Sequence, residues 1–358
     1  MEIHSIKTKP QITNIFQKIF LVSFIFITCS FILILGEIIF RIKYLGFIKT
    51  IQSLTLQKIN NSALGTYDWV ISDSDLNYRL NPIRPNINEF SMKDKEIQIP
   101  KPRGIYRIIV LGDSIPFIGD PNFVDLLKNK IKTDKIEIFN ASTPGYTTYQ
   151  ELMFLEKYAI KAEPDLVILS YCLNDNYKFL HRFNEKTQML LTKEAQDSLK
   201  INNSFDAFVQ KSYLLTAFKT IFIKKNTDRK EPIFPWEKAV DFNIAWKDYS
   251  WPNFSNRLKK MNDILKNNHA KLSVVIFPIE MQLNPILLQI DSFKVTKPQR
   301  QVAFYSNKFN IPHLDLFSSF YEAQQKGTKL YTDGVHLSLE GENLAANLIY
   351  DYLIKDLP

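Results

Sequence analysis

The longest apolar stretch of the chain is residues 19–40, reading IFLVSFIFITCSFILILGEIIF with Glu37 as its single charge. About 20 such residues in a helix cross the hydrocarbon core of a bilayer, so the pattern predicts one transmembrane helix. The run is too long for a typical signal-peptide core and no small-residue cleavage site follows it, which favours a retained anchor. Shorter apolar runs lie at 108–111, 136–139, 165–170, 272–277 and 312–316. They are continuous rather than alternating, the pattern of strands covered on both faces in a parallel sheet. Apolar residues at helical spacing fall between them: Phe123, Leu126, Leu127 and Ile131 within 122–132, and Leu152, Leu155, Tyr158 and Ala159 within 147–161. A last helix is predicted over 338–354. Strands separated by helices imply a three-layer α/β/α sandwich around a five-stranded, mostly parallel sheet with right-handed crossovers.

The polar stretches set the organisation around that core. Residues 1–18 form a short basic segment with Lys7, Lys9 and Lys18, followed by the anchor at 19–40. Residues 41–103 read as a connector packed on the domain that follows. Its second half is marked as irregular by Pro82, Pro85, Pro100 and Pro102. The main domain is placed at 104–358, with an insertion at about 176–241 where the periodicity is lost except for helical fragments near 193–199 and 212–224. An insertion just past a strand's carboxyl end is a candidate wall or lid for a site there. Lys7, Lys9 and Lys18 before the span are balanced by Arg41, Lys43 and Lys49 after it, so basic residues barely set its orientation. A short basic terminus, one span and a large domain favour export of the domain.

Composition removes several classes. The net charge of +8 comes from scattered lysines such as Lys128, Lys130, Lys132 and Lys135, with no nucleic-acid motif among them. The two cysteines, Cys29 in the apolar run and Cys172 after a strand, cannot pair, so no disulfide framework is expected. No Cys/His cluster has metal spacing, and no metal or cofactor is expected.

The candidate chemistry sits at the strand ends. The run at 108–111 stops at Gly112, Asp113 and Ser114, which places a serine just past the carboxyl end of a buried strand, where open α/β sheets bind ligands. Gly145 follows the second strand, Asn174 the third, and Asp333 and His336 precede the last helix. All converge on one rim. Acyl transfer needs a hydroxyl nucleophile, an imidazole to take its proton, a carboxylate to orient the imidazole, and donors for the oxyanion. Three residues apart, Asp333 can reach one ring nitrogen of His336 and leave the other for Ser114. Backbone N–H groups of Ser114 and Gly145 and the amide of Asn174 are the candidate oxyanion donors. His4, His181, His269 and His313 sit in terminal, polar, helix-end or strand-edge contexts and are expected in surface or capping roles. Asp113 and Asp175 are expected to buttress turns.

In this order, Gly112-Asp-Ser114, Gly145, Asn174-Asp175 and Asp333-x-x-His336 resemble the four sequence blocks of the SGNH hydrolase superfamily, the GDSL-type esterases and lipases. The resemblance covers roughly 104–355. The segment from Asn77 to Pro82 is also similar to the lead-in of membrane-anchored members. It implies Ser114 as nucleophile, His336 as general base, Asp333 as its partner, and Ser114, Gly145 and Asn174 as oxyanion donors. The implied activity is that of a membrane-anchored serine esterase acting on an ester of an envelope carbohydrate or lipid. The same acyl-enzyme could pass its acyl group to a sugar hydroxyl, as an O-acyltransferase would, and the motifs do not choose the acceptor. A non-catalytic glycan-binding or scaffold protein is a further alternative. Two departures stand out: Cys172 occupies a position usually held by glycine, and Ile115 and Pro116 follow the serine where small or polar residues are more usual.

Overall fold

A computed structural model describes residues 10–45, 69–184, 189–192, 234–237, 239 and 241–358. The helical fragments expected near 193–199 and 212–224 lie outside these residues. The chain divides into two units, residues 1–62 with 194–231, and residues 63–193 with 232–358.

In the first unit, Pro10–Leu45 is one helix, α1. Within it Gln17–Ile39 is 23 residues long with a mean hydropathy of 2.7, long and apolar enough to cross a membrane. Its apolar side chains, from Ile19 to Leu35, are exposed. Their transfer from water strongly favours an apolar surrounding.

The second unit is built on five parallel strands: β3 (Tyr106–Leu111), β4 (Ile136–Asn140), β5 (Leu166–Tyr171), β8 (Lys271–Ile276) and β9 (His313–Asp315). Their order across the sheet is β4-β3-β5-β8-β9. All six residues of β5 are buried, as are Ile108 to Leu111 of β3. Each fully buried aliphatic side chain contributes about 1.5–3 kcal/mol, so these central strands anchor the core. The chain leaves β3 toward β4 on one side and then returns past β3 to β5 on the other. Right-handed crossovers in opposite directions put their helices on opposite faces. Accordingly α3 (Phe123–Lys130) packs with the last helix, α9 (Leu339–Leu353), and α4 (Thr148–Lys157) packs with α5 (Trp251–Asn267). The reversal of direction at β3 puts the residues after it at the switch point of the sheet, where a crevice opens.

The strands and the helices at 122–132, 147–161 and 338–354 fall within a few residues of their expected limits. Thr147–Lys161 shortens to α4, followed by a separate 3₁₀ turn at Ala159–Ala162. Four helices were not expected as such: α5, α6 (Pro285–Val295), α7 (Lys297–Lys308) and α8 (Phe317–Gln325). The segment ahead of β3 is more ordered than its prolines suggest. It opens with an antiparallel hairpin, β1 (Val70–Asp73) and β2 (Asn77–Leu80), whose Leu76, Tyr78 and Leu80 are buried. The insertion after β5 likewise begins with a hairpin, β6 (His181–Asn184) and β7 (Met189–Thr192).

Buried Arg107 ties the early segment to the sheet. Its guanidinium meets Glu137 Oε2 at 2.7 Å and donates to the carbonyls of Ala162 and Gln98 at 2.6 and 3.2 Å. A guanidinium withdrawn from water needs such a set of acceptors, so Gln98 is held against β3 and β4.

Candidate active site

Ser114 opens a single helical turn, α2 (Ser114–Phe117), immediately past β3. The turn is sharp because Gly112 has no side chain. A Cβ there would lie 2.6 Å from Pro116 Cγ and 3.0 Å from Ser170 Cβ. The unusual Pro116 thus packs onto the strand end, and Ile115 is buried beside it. Asp113 caps the turn by accepting from Ile115 N–H at 2.9 Å. Burial raises the pKa of Asp113, opposed by that N–H, by the adjacent Asn174 amide and by His336.

Ser114 Oγ lies 3.0 Å from His336 Nε2, and His336 Nδ1 lies 2.6 Å from Asp333 Oδ2. With the ring proton on Nδ1, facing the carboxylate, Nε2 is left to accept from the serine hydroxyl. Asp333 Oδ1 also accepts from the N–H groups of Val335 and His336, at 3.0 and 2.8 Å. Partial burial pushes the Asp333 pKa up, but the hydrogen bonds from the His336 ring and from these two N–H groups outweigh it and hold the carboxyl below its ordinary value. The loop is short enough to make the whole contact within four residues. Glu280 N–H fixes it from outside by donating to Gly334 O at 2.9 Å.

Gly145 and Asn174 lie on the loops flanking this turn. Thr143 N–H donates to Gly112 O at 3.0 Å, which brings the Gly145 loop against the strand end. Gly145 has φ +75°, a left-handed conformation that favours glycine, and a Cβ there would lie 2.5 Å from His181 Nδ1 and 3.0 Å from Tyr78 Oη. Among the described residues, the N–H groups of Ser114 and Gly145 make no backbone hydrogen bond. Asn174 is buried, and its Nδ2 donates to Tyr146 O at 3.2 Å.

Cys172 has φ −123° and ψ 167°, extended backbone that any residue adopts, so glycine is not required there. Its N–H donates to Asp175 Oδ2 at 2.9 Å, the buttressing expected of Asp175. Burial, then the charges of Asp113 and Asp175, push the thiol pKa well up, which suits packing rather than nucleophilic chemistry. Behind Asp175 lies Glu151, fully buried, with neither carboxyl oxygen hydrogen-bonded among the described residues. Burial and the neighbouring Asp175 and Asp113 raise its pKa well above the carboxylate range.

Of the other histidines, His269 follows the end of α5 in a left-handed conformation and His313 begins β9. His181 differs from expectation. It is packed against Gly145 with Nδ1 buried and unpartnered among the described residues, and burial lowers its pKa. Its place follows from the β6–β7 hairpin, which no periodicity announced. Tyr78 was equally hidden: its hydroxyl donates to Pro144 O at 2.9 Å, while Tyr146 Oη donates back to Tyr78 O at 2.7 Å. Among the described residues no group of three or more His, Cys, Asp or Glu is arranged to hold a metal ion.

The fold and site together define a doubly wound α/β sandwich with a Ser–His–Asp chain at the carboxyl edge of its sheet. No family model and no curated protein matches the sequence. Among solved structures the chain is similar to a lipase/acylhydrolase from Enterococcus faecalis, at 16% identity over 71% of this chain and 98% of that one, with a TM-score of 0.43. It is also similar to an acetyl xylan esterase, AlAXEase, at 14% identity, covering 69% and 100% of the two chains with a TM-score of 0.44. A member of the lipolytic G-D-S-L family from Veillonella parvula gives 14%, 70% and 100%, with a TM-score of 0.41. At such identities and TM-scores these likenesses carry no weight for activity.

Proposed function

We propose that this protein is a serine ester hydrolase of the SGNH type, acting through an acyl-enzyme on Ser114. The observation that carries this reading is the continuous contact from Ser114 Oγ through the His336 ring to Asp333, at 3.0 and 2.6 Å. In the first step Ser114 Oγ bonds to the ester carbonyl carbon while its proton passes to His336 Nε2. The imidazolium is stabilised by Asp333, and the oxyanion by the Ser114 and Gly145 N–H groups and the Asn174 amide. Collapse of the tetrahedral intermediate breaks the ester bond, and the alcohol leaves with the proton from Nε2. Water, deprotonated by the same nitrogen, then releases the acid.

The apolar span in α1 supports retention at a membrane, and the arrangement of a short terminus, one span and a large domain favours export of the domain. An ester on an envelope carbohydrate or lipid is the substrate class that such a placement favours. Protease treatment of intact cells checks the topology: the domain should be digested, and protection would refute export. The catalytic reading is tested with the full chain in detergent, by turnover of p-nitrophenyl acetate. Ser114→Ala should lose several powers of ten in turnover while remaining folded. Retained turnover would refute the serine mechanism. Adding sugar acceptors to the same assay separates hydrolysis from acyl transfer, since a transferase would deliver the acyl group to the sugar.

A further inference from the structure

A four-residue helix closes only one turn, so α2 must find partners for its carbonyl groups beyond its own length. Three of them do so in different ways. Ser114 O accepts from Ile118 N–H at 2.8 Å. Pro116 O accepts from Asn140 Nδ2 at 2.7 Å, and Phe117 O accepts from Lys93 Nζ at 2.8 Å. Asn140, the last residue of β4, is itself held by the same early segment. Its carbonyl accepts from Lys93 N–H at 2.9 Å, and its N–H donates to Asp94 Oδ2 at 2.9 Å. Asp94 is in turn paired with Lys128 of α3. Residues 93 and 94, ahead of the first sheet strand, therefore grip both the turn that bears Ser114 and the strand end beside it.

The Lys93 side chain suits this task. Its ammonium lies 4.8 Å from the centroid of the Phe117 ring, so the aromatic face and the Phe117 carbonyl hold it together. Burial lowers its pKa, while the acidic side chains of Asp125, Asp120 and Glu342 act in the opposite direction and Lys128 adds to the lowering. A solvated surface lysine would spend its donors on water; here one is committed to a carbonyl of the nucleophile's own turn.

We propose that Lys93 is a positioning residue for Ser114, clamping the carboxyl end of α2 so that Oγ keeps its 3.0 Å contact with His336 Nε2. The early segment is then part of the hydrolytic machinery rather than a spacer between membrane and enzyme. This rests on the esterase reading above, and it adds a group that never touches substrate.

The test compares Lys93→Met and Lys93→Arg in the full chain in detergent, reading ester kcat and KM and the second-order rate of fluorophosphonate labelling. Methionine keeps an unbranched stem over Phe117 and removes the donor; arginine retains a charged donor. Lys93→Met should lose about tenfold in kcat and in labelling rate, the scale of one charge-assisted hydrogen bond, with KM little changed, and Lys93→Arg should recover most of the loss. A purely structural role would lower the melting temperature and leave kcat of the folded fraction intact. A folded Lys93→Met protein that labels at the unsubstituted rate overturns the proposal. Where Lys93→Met does not fold, Lys93→Leu, which also keeps an apolar side chain and removes the donor, supplies the same comparison: a fall in kcat supports the clamp and an unchanged kcat refutes it. If the unsubstituted chain itself neither labels nor turns over ester, the esterase reading fails and this proposal with it.

Discussion

Glu342 offers a quantitative test of how the nucleophile's surroundings are packed. It lies in the first turn of α9, only 2% exposed, and its Oε2 accepts from Phe123 N–H, at the start of α3, at 2.7 Å. Burial raises its pKa from an ordinary 4.5 to about 8, against the pull of that N–H and of Lys93, with Asp125 adding to the rise. The carboxyl therefore binds its proton more tightly in the folded than in the unfolded chain. Stability from this group is complete below about pH 4.5 and is lost as pH rises toward about 8. A shift of that size corresponds to about 5 kcal/mol at most, and relaxation on ionisation reduces it, so a loss of about 2–4 kcal/mol is expected across this window. Glu342→Gln keeps a carbonyl oxygen for Phe123 N–H and cannot ionise. Thermal melts of the full chain in detergent should give similar Tm values for the two proteins near pH 5. Near pH 8 the Gln variant should melt higher by on the order of 5–10 °C. Equal slopes of Tm against pH, or a Gln variant less stable near pH 8, would refute the buried neutral carboxyl and favour an ionised Glu342 paired in place.

Two substitutions probe the site itself. Gly145→Ala meets both a strained left-handed backbone and the His181 ring at 2.5 Å, so the ring or the loop must shift, and the strain favours the loop. Its N–H moves with it, and turnover should fall by about 10²–10³, the usual effect of losing one oxyanion donor; unchanged kinetics would remove Gly145 from the site. Asp333→Asn removes the charge that orients and stabilises the His336 ring, and kcat should fall by about 10⁴ without loss of fold, measured by ester turnover beside circular dichroism. A fall of less than about tenfold would show that Asp333 is dispensable.

Much of the sheet and of the Ser–His–Asp chain was legible because both rest on local signals. Continuous apolar runs such as 108–111 and 165–170 report strands buried on both faces, and the strand-to-turn junction at Gly112 reports where a side chain is delivered. The Asp333 and His336 spacing is local as well. The early segment was expected to pack on the domain, but its contacts with the site were not legible, because they join residues far apart in sequence. Tyr78 meets Pro144, and Lys93 meets Phe117. Lys93 stands in no periodic pattern, and the short alternation of Leu76, Tyr78 and Leu80 does not say what Tyr78 meets. His181 was misread for the same reason: a polar local context hides a ring packed against Gly145. Helices α5 to α7 mix polar and apolar residues around Pro252, Pro285 and Pro298, which at these places start helices instead of ending them. The doubt raised by Cys172 also dissolves in the fold, since its backbone is extended and its thiol is packed.

The central claim is that Ser114 is an activated nucleophile. It is tested most directly by treating the full chain in detergent with a fluorophosphonate and mapping the adduct by mass spectrometry. A single adduct on Ser114, abolished in His336→Ala, is the expected result. A folded chain that takes no label, or takes it on another residue, would contradict the account.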